Sequence, residues 1–76
     1  MNSYEKTVMD ESNAIAVWRE GREARCDVNV INAIAMRHAI APAALRAFAY
    51  RVAGSRDSYD GVKITASQLV DAYFNA

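Results

Sequence analysis

The chain of 76 residues contains a single cysteine, one proline, one histidine, one tryptophan and only three glycines. The lone cysteine excludes a disulfide within the chain. No apolar run approaches the roughly 20 residues that a membrane-spanning helix needs. The first residues also lack the basic and apolar regions of a signal peptide. We therefore expect a soluble, cytoplasmic protein that does not enter a membrane.

Hydrophobic residues are plentiful, although many of them are alanines. They account for 53% of the chain, and charged residues account for 24%. This composition differs from that of disordered chains, which combine low hydrophobicity with high net charge. The length allows one modest hydrophobic core. We predict a single small globular domain over residues 1–76.

Charge is balanced overall but distributed unevenly. Nine basic residues offset nine acidic ones, so the net charge is zero. Residues 36–63 contain only two acidic residues but five basic ones: Arg37, Arg46, Arg51, Arg56 and Lys63. A basic second half suits contact with phosphates or with an acidic protein partner. The excess is nevertheless small for non-specific DNA binding, which depends on the release of counterions.

The sequence offers little for metal binding or catalysis. His38 is the only histidine, and no cluster of zinc ligands surrounds it in sequence. Residues 57–68 resemble a calcium-binding EF-hand loop, but Tyr59 and Gly61 stand at ligand positions and Gln68 replaces the closing glutamate. No phosphate-binding loop or nucleophile motif is present. We expect no metal, no cofactor and no enzymatic activity.

The segment before residue 30 admits two interpretations. Ala14, Val17 and Trp18 recur at helical spacing, and Gly21 is suited to end such a helix. The second half of the segment instead alternates polar and apolar residues, as a half-buried strand does. In that case residues 14–30 form a β-hairpin. We favour the helix and keep the hairpin as the alternative.

Clearer helix signals follow. Asp27 is suited to cap the start of a helix, and Pro42 favours a break in the chain followed by a new helix that begins at the proline. Gly54 is expected to close that helix. Thr65 and Gln68 have the spacing of a capping box, which predicts a last helix.

These elements predict an all-α fold, a small bundle of about four short helices. The alternative is an α+β fold with an N-terminal β-hairpin at residues 14–30.

The pattern between residues 34 and 48 predicts two helices that meet at a sharp corner. It resembles the helix-turn-helix of DNA-binding domains in phage and plasmid regulators and in resolvases. Ala39 stands where such motifs usually have glycine. The matching apolar positions are Ile34, Ala35, Ile40, Leu45 and Phe48.

The resemblance implies a role for five side chains. Arg46 and Tyr50 would reach base edges in the major groove. Arg37, Arg51 and Arg56 would hold phosphates. The first functional hypothesis is therefore a small, non-enzymatic DNA-binding regulator encoded by a phage or mobile element. Such a regulator could act as a homodimer, because one small corner motif makes few contacts.

The second hypothesis is a protein-binding module. The corner would expose mainly alanines, which read bases poorly, and the net charge is zero. In its size and its lack of catalytic residues the chain is similar to small phage proteins that inhibit a host protein, anti-CRISPR proteins among them. We favour the DNA-binding hypothesis because a positional pattern supports it.

Overall fold

The computed structural model describes residues 10–54 and 63–76. These residues form, in chain order, β1 (Ile15–Glu20), β2 (Glu23–Cys26), α1 (Val28–Arg37), α2 (Pro42–Gly54), β3 (Lys63–Thr65) and α3 (Ala66–Phe74). The strands make one antiparallel sheet in the order β2-β1-β3. No helix within the two described ranges is long and apolar enough to cross a membrane.

The prediction of an all-α bundle of about four helices is wrong. The described residues form an α+β fold, in which three helices accompany a three-stranded sheet. The segment that we expected to be helical is the hairpin of β1 and β2. It lies within residues 14–30, as the alternative had it, although the chain is helical again from Val28.

A two-residue loop joins β1 to β2. Glu20 pairs with Glu23 across it, and Gly21 has a φ of 61°. A glycine with positive φ at the first loop position is what a type II′ hairpin turn requires. Gly21 therefore has a positive φ, as at a helix end, but here it turns a hairpin.

An extra residue in β1 decides which side chains the sheet buries. Ile15 pairs with Thr65 and Val17 pairs with Ile64, so Ala16 is a β-bulge between them. Ala16 and Val17 are both fully buried. Beyond the bulge the side chains alternate again, which places Trp18 on the opposite face.

The three helices cover one face of the sheet. Each contributes buried side chains, and the strands contribute Val17 and Ile64 from the same face. The helical part of the core consists of Ile31, Ile34, Ala35, Leu45, Phe48, Ala49, Ala53, Ala66, Leu69 and Val70. The cross-strand partners Arg25, Trp18 and Lys63 lie in a row on the other face.

The corner between α1 and α2 has the position expected from the sequence. The side chain of Asp27 accepts a hydrogen bond of 3.2 Å from the backbone N–H of Val30 and so caps α1. After α1, Ala39 adopts a left-handed conformation with a φ of 56°, and Pro42 begins α2. The chain therefore bends sharply here instead of continuing as one helix.

The last helix begins with the predicted capping box. The side chain of Thr65 accepts from the backbone N–H of Gln68, and the Gln68 side chain accepts from the backbone N–H of Thr65. Two backbone donors at the helix start are satisfied in this way.

A buried arginine joins the sheet to α2. Arg19 of β1 is only 7% exposed, and its Nη1 donates a hydrogen bond of 3.0 Å to the carbonyl of Ala53. Its Nη2 lies 3.5 Å from the carbonyl of Arg22. The C-terminal turn of a helix carries unsatisfied carbonyls and a partial negative charge, so a cation is favourable there. Arg19 thus holds the hairpin against the end of α2.

Replacement of this guanidinium should destabilise the fold. In Arg19→Met the apolar stem remains, but the carbonyl of Ala53 loses a charged donor. We expect the free energy of unfolding to fall by about 2–3 kcal/mol, measured by urea denaturation with circular dichroism. Arg22→Ala, at an exposed neighbour, should change it by less than about 0.5 kcal/mol. Equal stabilities for the two variants would contradict this role of Arg19.

The left-handed turn gives a second prediction. An alanine in this conformation costs about 1–2 kcal/mol, which glycine avoids. In the opposite direction, glycine lowers the free energy of unfolding by about 0.4–1 kcal/mol, because it increases the entropy of the unfolded chain. Ala39→Gly should therefore unfold at an equal or higher denaturant concentration than the wild type. Ala41→Gly, two residues later and without a positive φ, should show only the entropic loss. A clear destabilisation by Ala39→Gly would contradict the left-handed conformation of Ala39.

Candidate functional site

Two of the residues predicted to contact DNA lie close together. Arg46 and Tyr50 are one turn apart on α2, so they share a helix face. The Tyr50 side chain lies beside that of Cys26, because α2 packs against β2. Arg46 Nη1 lies 3.4 Å from the side-chain oxygen of Asn32 in α1. This pair therefore faces β2 and α1.

The other predicted phosphate contacts have different surroundings. Arg37 Nη1 is 3.1 Å from a carboxylate oxygen of Glu11. The guanidinium of Arg51 stacks over the ring of Phe48, 5.5 Å from its centroid. Arg56 lies outside the described residues. The residues predicted to contact DNA therefore have different neighbours. Arg46 and Tyr50 lie beside α1 and β2, whereas Arg37 pairs with Glu11 and Arg51 stacks on Phe48.

The face of α2 that would enter a major groove is poor in polar groups. Ala43, Ala44 and Ala47 are exposed there, and only Arg46 and Tyr50 add hydrogen-bonding side chains. Specific reading of DNA requires donors and acceptors that match base edges. Alanine side chains provide neither, so this face is poorly suited to reading bases.

The environment of Tyr50 keeps its phenol protonated. The hydrogen bond with Cys26 raises the pKa of Tyr50 above its ordinary value, and the charge on the Cys26 sulfur and desolvation act in the same direction. The positive charges of Arg46 and Arg25 oppose this rise. Tyr50 is therefore a neutral hydrogen-bonding group over the physiological pH range.

A second surface is built from rings of α2, of α3 and of the turn that follows α1. The rings of Phe48 and Tyr73 meet edge to face with centroids 5.4 Å apart. Tyr73 meets Phe74 at 5.7 Å, and Phe74 meets His38 at 6.5 Å. We call these four residues the aromatic strip. Such edge-to-face contacts stabilise aromatic pairs beyond the area that they bury.

A charged group lies at each end of the aromatic strip. Arg51 covers Phe48 at one end. At the other end Nε2 of His38 is 3.1 Å from both carboxylate oxygens of Glu11, which also pairs with Arg37. The Glu11 side chain is only 19% exposed. This half-buried carboxylate holds the chain before β1 against the end of α1.

Exposure increases along the aromatic strip from Phe48 to Phe74. Phe48 is 8% exposed and belongs to the core, whereas Phe74 is 60% exposed. Met36, in the last turn of α1, is 78% exposed. Aromatic residues, methionine and arginine are enriched at protein interfaces, and a few of them supply most of the binding energy. The outer part of the strip therefore has the chemistry of an interface.

The aromatic strip was not evident from the sequence. Its members come from three parts of the chain, and only Tyr73 and Phe74 are neighbours in sequence. One signal was available: Phe74 follows Tyr73 on a helix whose buried face is already filled by Leu69 and Val70. Two adjacent aromatic residues on such a helix cannot both point inward.

Within residues 10–54 and 63–76 no group of three or more His, Cys, Asp or Glu side chains could hold a metal ion. Comparisons with family models, with curated proteins and with solved structures gave no match. Function must therefore be inferred from the surfaces of the molecule.

Removal of the Cys26 side chain should lower the pKa of Tyr50. In Cys26→Ala the hydrogen bond is lost, and we expect the phenol to titrate at lower pH, as followed by NMR with Tyr50→Phe for assignment. Because the wild-type pKa is raised above the unfolded value of about 10, its contribution to stability is present below that pH and declines as the pH rises further. Cys26→Ser, which keeps a hydrogen-bonding group, should retain more of the shift. An unchanged pKa in Cys26→Ala would refute the assigned cause.

Proposed function

We propose that this chain is a protein-binding module that acts by covering a surface of another protein. A small phage-type inhibitor of a host protein, in the manner of anti-CRISPR proteins, is the kind of protein that fits this role. The observation that carries the proposal is the exposed Phe74, held in place by ring contacts with His38 and Tyr73.

Phe74 has the features of an interface anchor. Its ring is 60% exposed, yet the edge-to-face contacts on both sides limit its freedom. A side chain that is ordered before binding loses less entropy when a partner covers it. The remainder of the strip connects this ring to the core through Tyr73 and Phe48. We infer that Phe74 enters an apolar pocket of the partner.

Charges around the aromatic strip indicate what should surround that pocket. Arg37 is already paired with Glu11, so it offers little new attraction. Arg51 is exposed, and none of the ion pairs among the described residues includes it. A partner with a carboxylate near the apolar pocket would therefore gain an ion pair with Arg51 at the rim.

DNA binding is the second candidate, and two observations favour it. The left-handed conformation of Ala39 occurs where helix-turn-helix motifs usually have glycine. Residues 28–54, which include both helices of the corner, also contain three arginines and no acidic residue. The division of the predicted contacts between two surroundings and the alanines on α2 favour a protein partner instead.

The proposal predicts that Phe74→Ala loses a partner and keeps the fold. Immobilised wild-type chain is incubated with extract of the host cell at about 0.15 M salt, and captured proteins are quantified by mass spectrometry. We expect one protein to be captured by the wild-type chain and at least about tenfold less of it to be captured by Phe74→Ala, because truncation of an interface anchor weakens binding strongly. Val28→Ala is the matched control, because Val28 is also exposed and apolar but lies at the start of α1.

Two results would contradict the proposal. One is equal capture by Phe74→Ala and Val28→Ala when circular dichroism shows both to be folded. The other is a gel shift of duplex DNA that weakens steeply with salt and disappears in Arg46→Ala, together with no captured protein. That pattern would support the DNA-binding candidate.

A further inference from the structure

The chain before β1 forms a turn that is held by its first described residue. The carboxylate of Asp10 accepts hydrogen bonds from the backbone N–H of Ser12 at 3.1 Å and from the side-chain amide of Asn13 at 2.6 Å. The Asp10 carbonyl accepts from the backbone N–H groups of Asn13 and Ala14. Aspartate side chains often stabilise turns in this way. Glu11 lies within this turn, so its backbone is held in place.

Two backbone hydrogen bonds attach the turn to the start of α3. The carbonyl of Glu11 accepts from the N–H of Ser67, and the carbonyl of Ala14 accepts from the N–H of Ala66, each at 2.8 Å. The first N–H groups of a helix have no acceptor within the helix, so these bonds satisfy two of them. The backbone of Glu11 is therefore tied to α3 without any contribution from its side chain.

The side chain of Glu11 extends from this position to the end of α1. Both carboxylate oxygens lie 3.1 Å from Nε2 of His38, the residue that caps α1, and one of them lies 3.1 Å from Nη1 of Arg37. The side chains of Glu11 and His38 are 19% and 34% exposed. Partly buried charges are screened by salt much less than exposed ones. Glu11 therefore restrains the imidazole more firmly than an exposed carboxylate would.

The restrained imidazole is one of two rings that contact Phe74 among the described residues. Its centroid is 6.5 Å from that of Phe74, with 62° between the ring planes, and Tyr73 provides the other contact. Phe74 is the last residue of α3 and is largely exposed. Exposed side chains change rotamer within picoseconds to nanoseconds when nothing confines them. The position of His38 therefore limits the motion of the Phe74 ring.

We propose that Glu11 is a positioning residue for Phe74. Its carboxylate accepts a hydrogen bond from Nε2 of His38, holds the imidazole against the Phe74 ring and so orders this ring before any partner binds. A ring that is ordered in advance loses less entropy on binding. The inference rests on the proposed function only in treating Phe74 as an interface anchor.

NMR of the free chain tests this role. The ring signals of Phe74 are observed with ¹³C-labelled phenylalanine and assigned with Phe74→Leu. In Glu11→Ala we expect loss of the nuclear Overhauser effect between the rings of His38 and Phe74, and a shift of the Phe74 signals towards their positions in the unfolded chain. Glu11→Gln keeps an acceptor oxygen of the same reach and should restore the effect.

A matched control removes a carboxylate elsewhere. Glu20 pairs with Arg25 at 2.7 Å on the hairpin, and this pair lies outside the aromatic strip. Glu20→Ala should therefore leave the Phe74 signals unchanged. Circular dichroism establishes that each variant is folded.

A double mutant shows whether Glu11 acts through the imidazole. Residues that act in one network have non-additive effects. In the His38→Ala background, Glu11→Ala should therefore cause no further shift of the Phe74 signals. The amide of Ser67 reports on the turn separately, because it donates to the backbone of Glu11. It should stay protected from hydrogen exchange in every variant.

The proposal is supported if Glu11→Ala loses the effect, Glu11→Gln restores it, and neither Glu20→Ala nor the His38→Ala background reproduces the shift. It is overturned if folded Glu11→Ala keeps the contact between the rings, if Glu11→Gln fails to restore it, or if Glu11→Ala shifts Phe74 equally without His38. Loss of Ser67 protection in Glu11→Ala also overturns it, because the whole turn would then be the cause. These measurements need no partner, so the capture experiment with Phe74→Ala can fail independently.

Discussion

The arrangement of this molecule depends on one buried cation, Arg19. It lies in the central strand and binds the carbonyl of Ala53 at the end of α2, so the longest helix and the sheet are joined at that point. A guanidinium is costly to bury unless its donors are used, and a helix C-terminus provides acceptors with a favourable dipole. With this end of α2 fixed, Tyr50 faces β2, whereas Phe48 faces α3.

The helix boundaries were largely readable from the sequence, because short-range chemistry determines them. Asp27, Pro42 and the pair Thr65 and Gln68 act within one turn of their own position. The hairpin was misassigned for a physical reason. The bulge at Ala16 buries two successive residues of β1, so the strand loses its alternation and imitates helical spacing.

The candidate site was less predictable than the fold. Arg46 and Tyr50 were expected together because residues four apart share a helix face. No local rule indicates that His38 pairs with a carboxylate 27 positions earlier, or that Phe48 packs on Tyr73. Both contacts arise because α3 and the chain before β1 pack against the corner between α1 and α2. They decide whether an arginine is available to a partner or already neutralised.

The distribution of charge argues for a protein partner over a nucleic acid. A polyanion is attracted by an extended cationic surface, but here the nine basic residues of the chain are offset by nine acidic ones. Of the arginines in α1 and α2, Arg37 is already paired and Arg51 stacks on a ring. On the hairpin, Arg25 is likewise paired with Glu20 and Glu23 of its own chain. Neutral molecules with such local patterns discriminate between partners by matching individual charges, which requires a partner of defined shape.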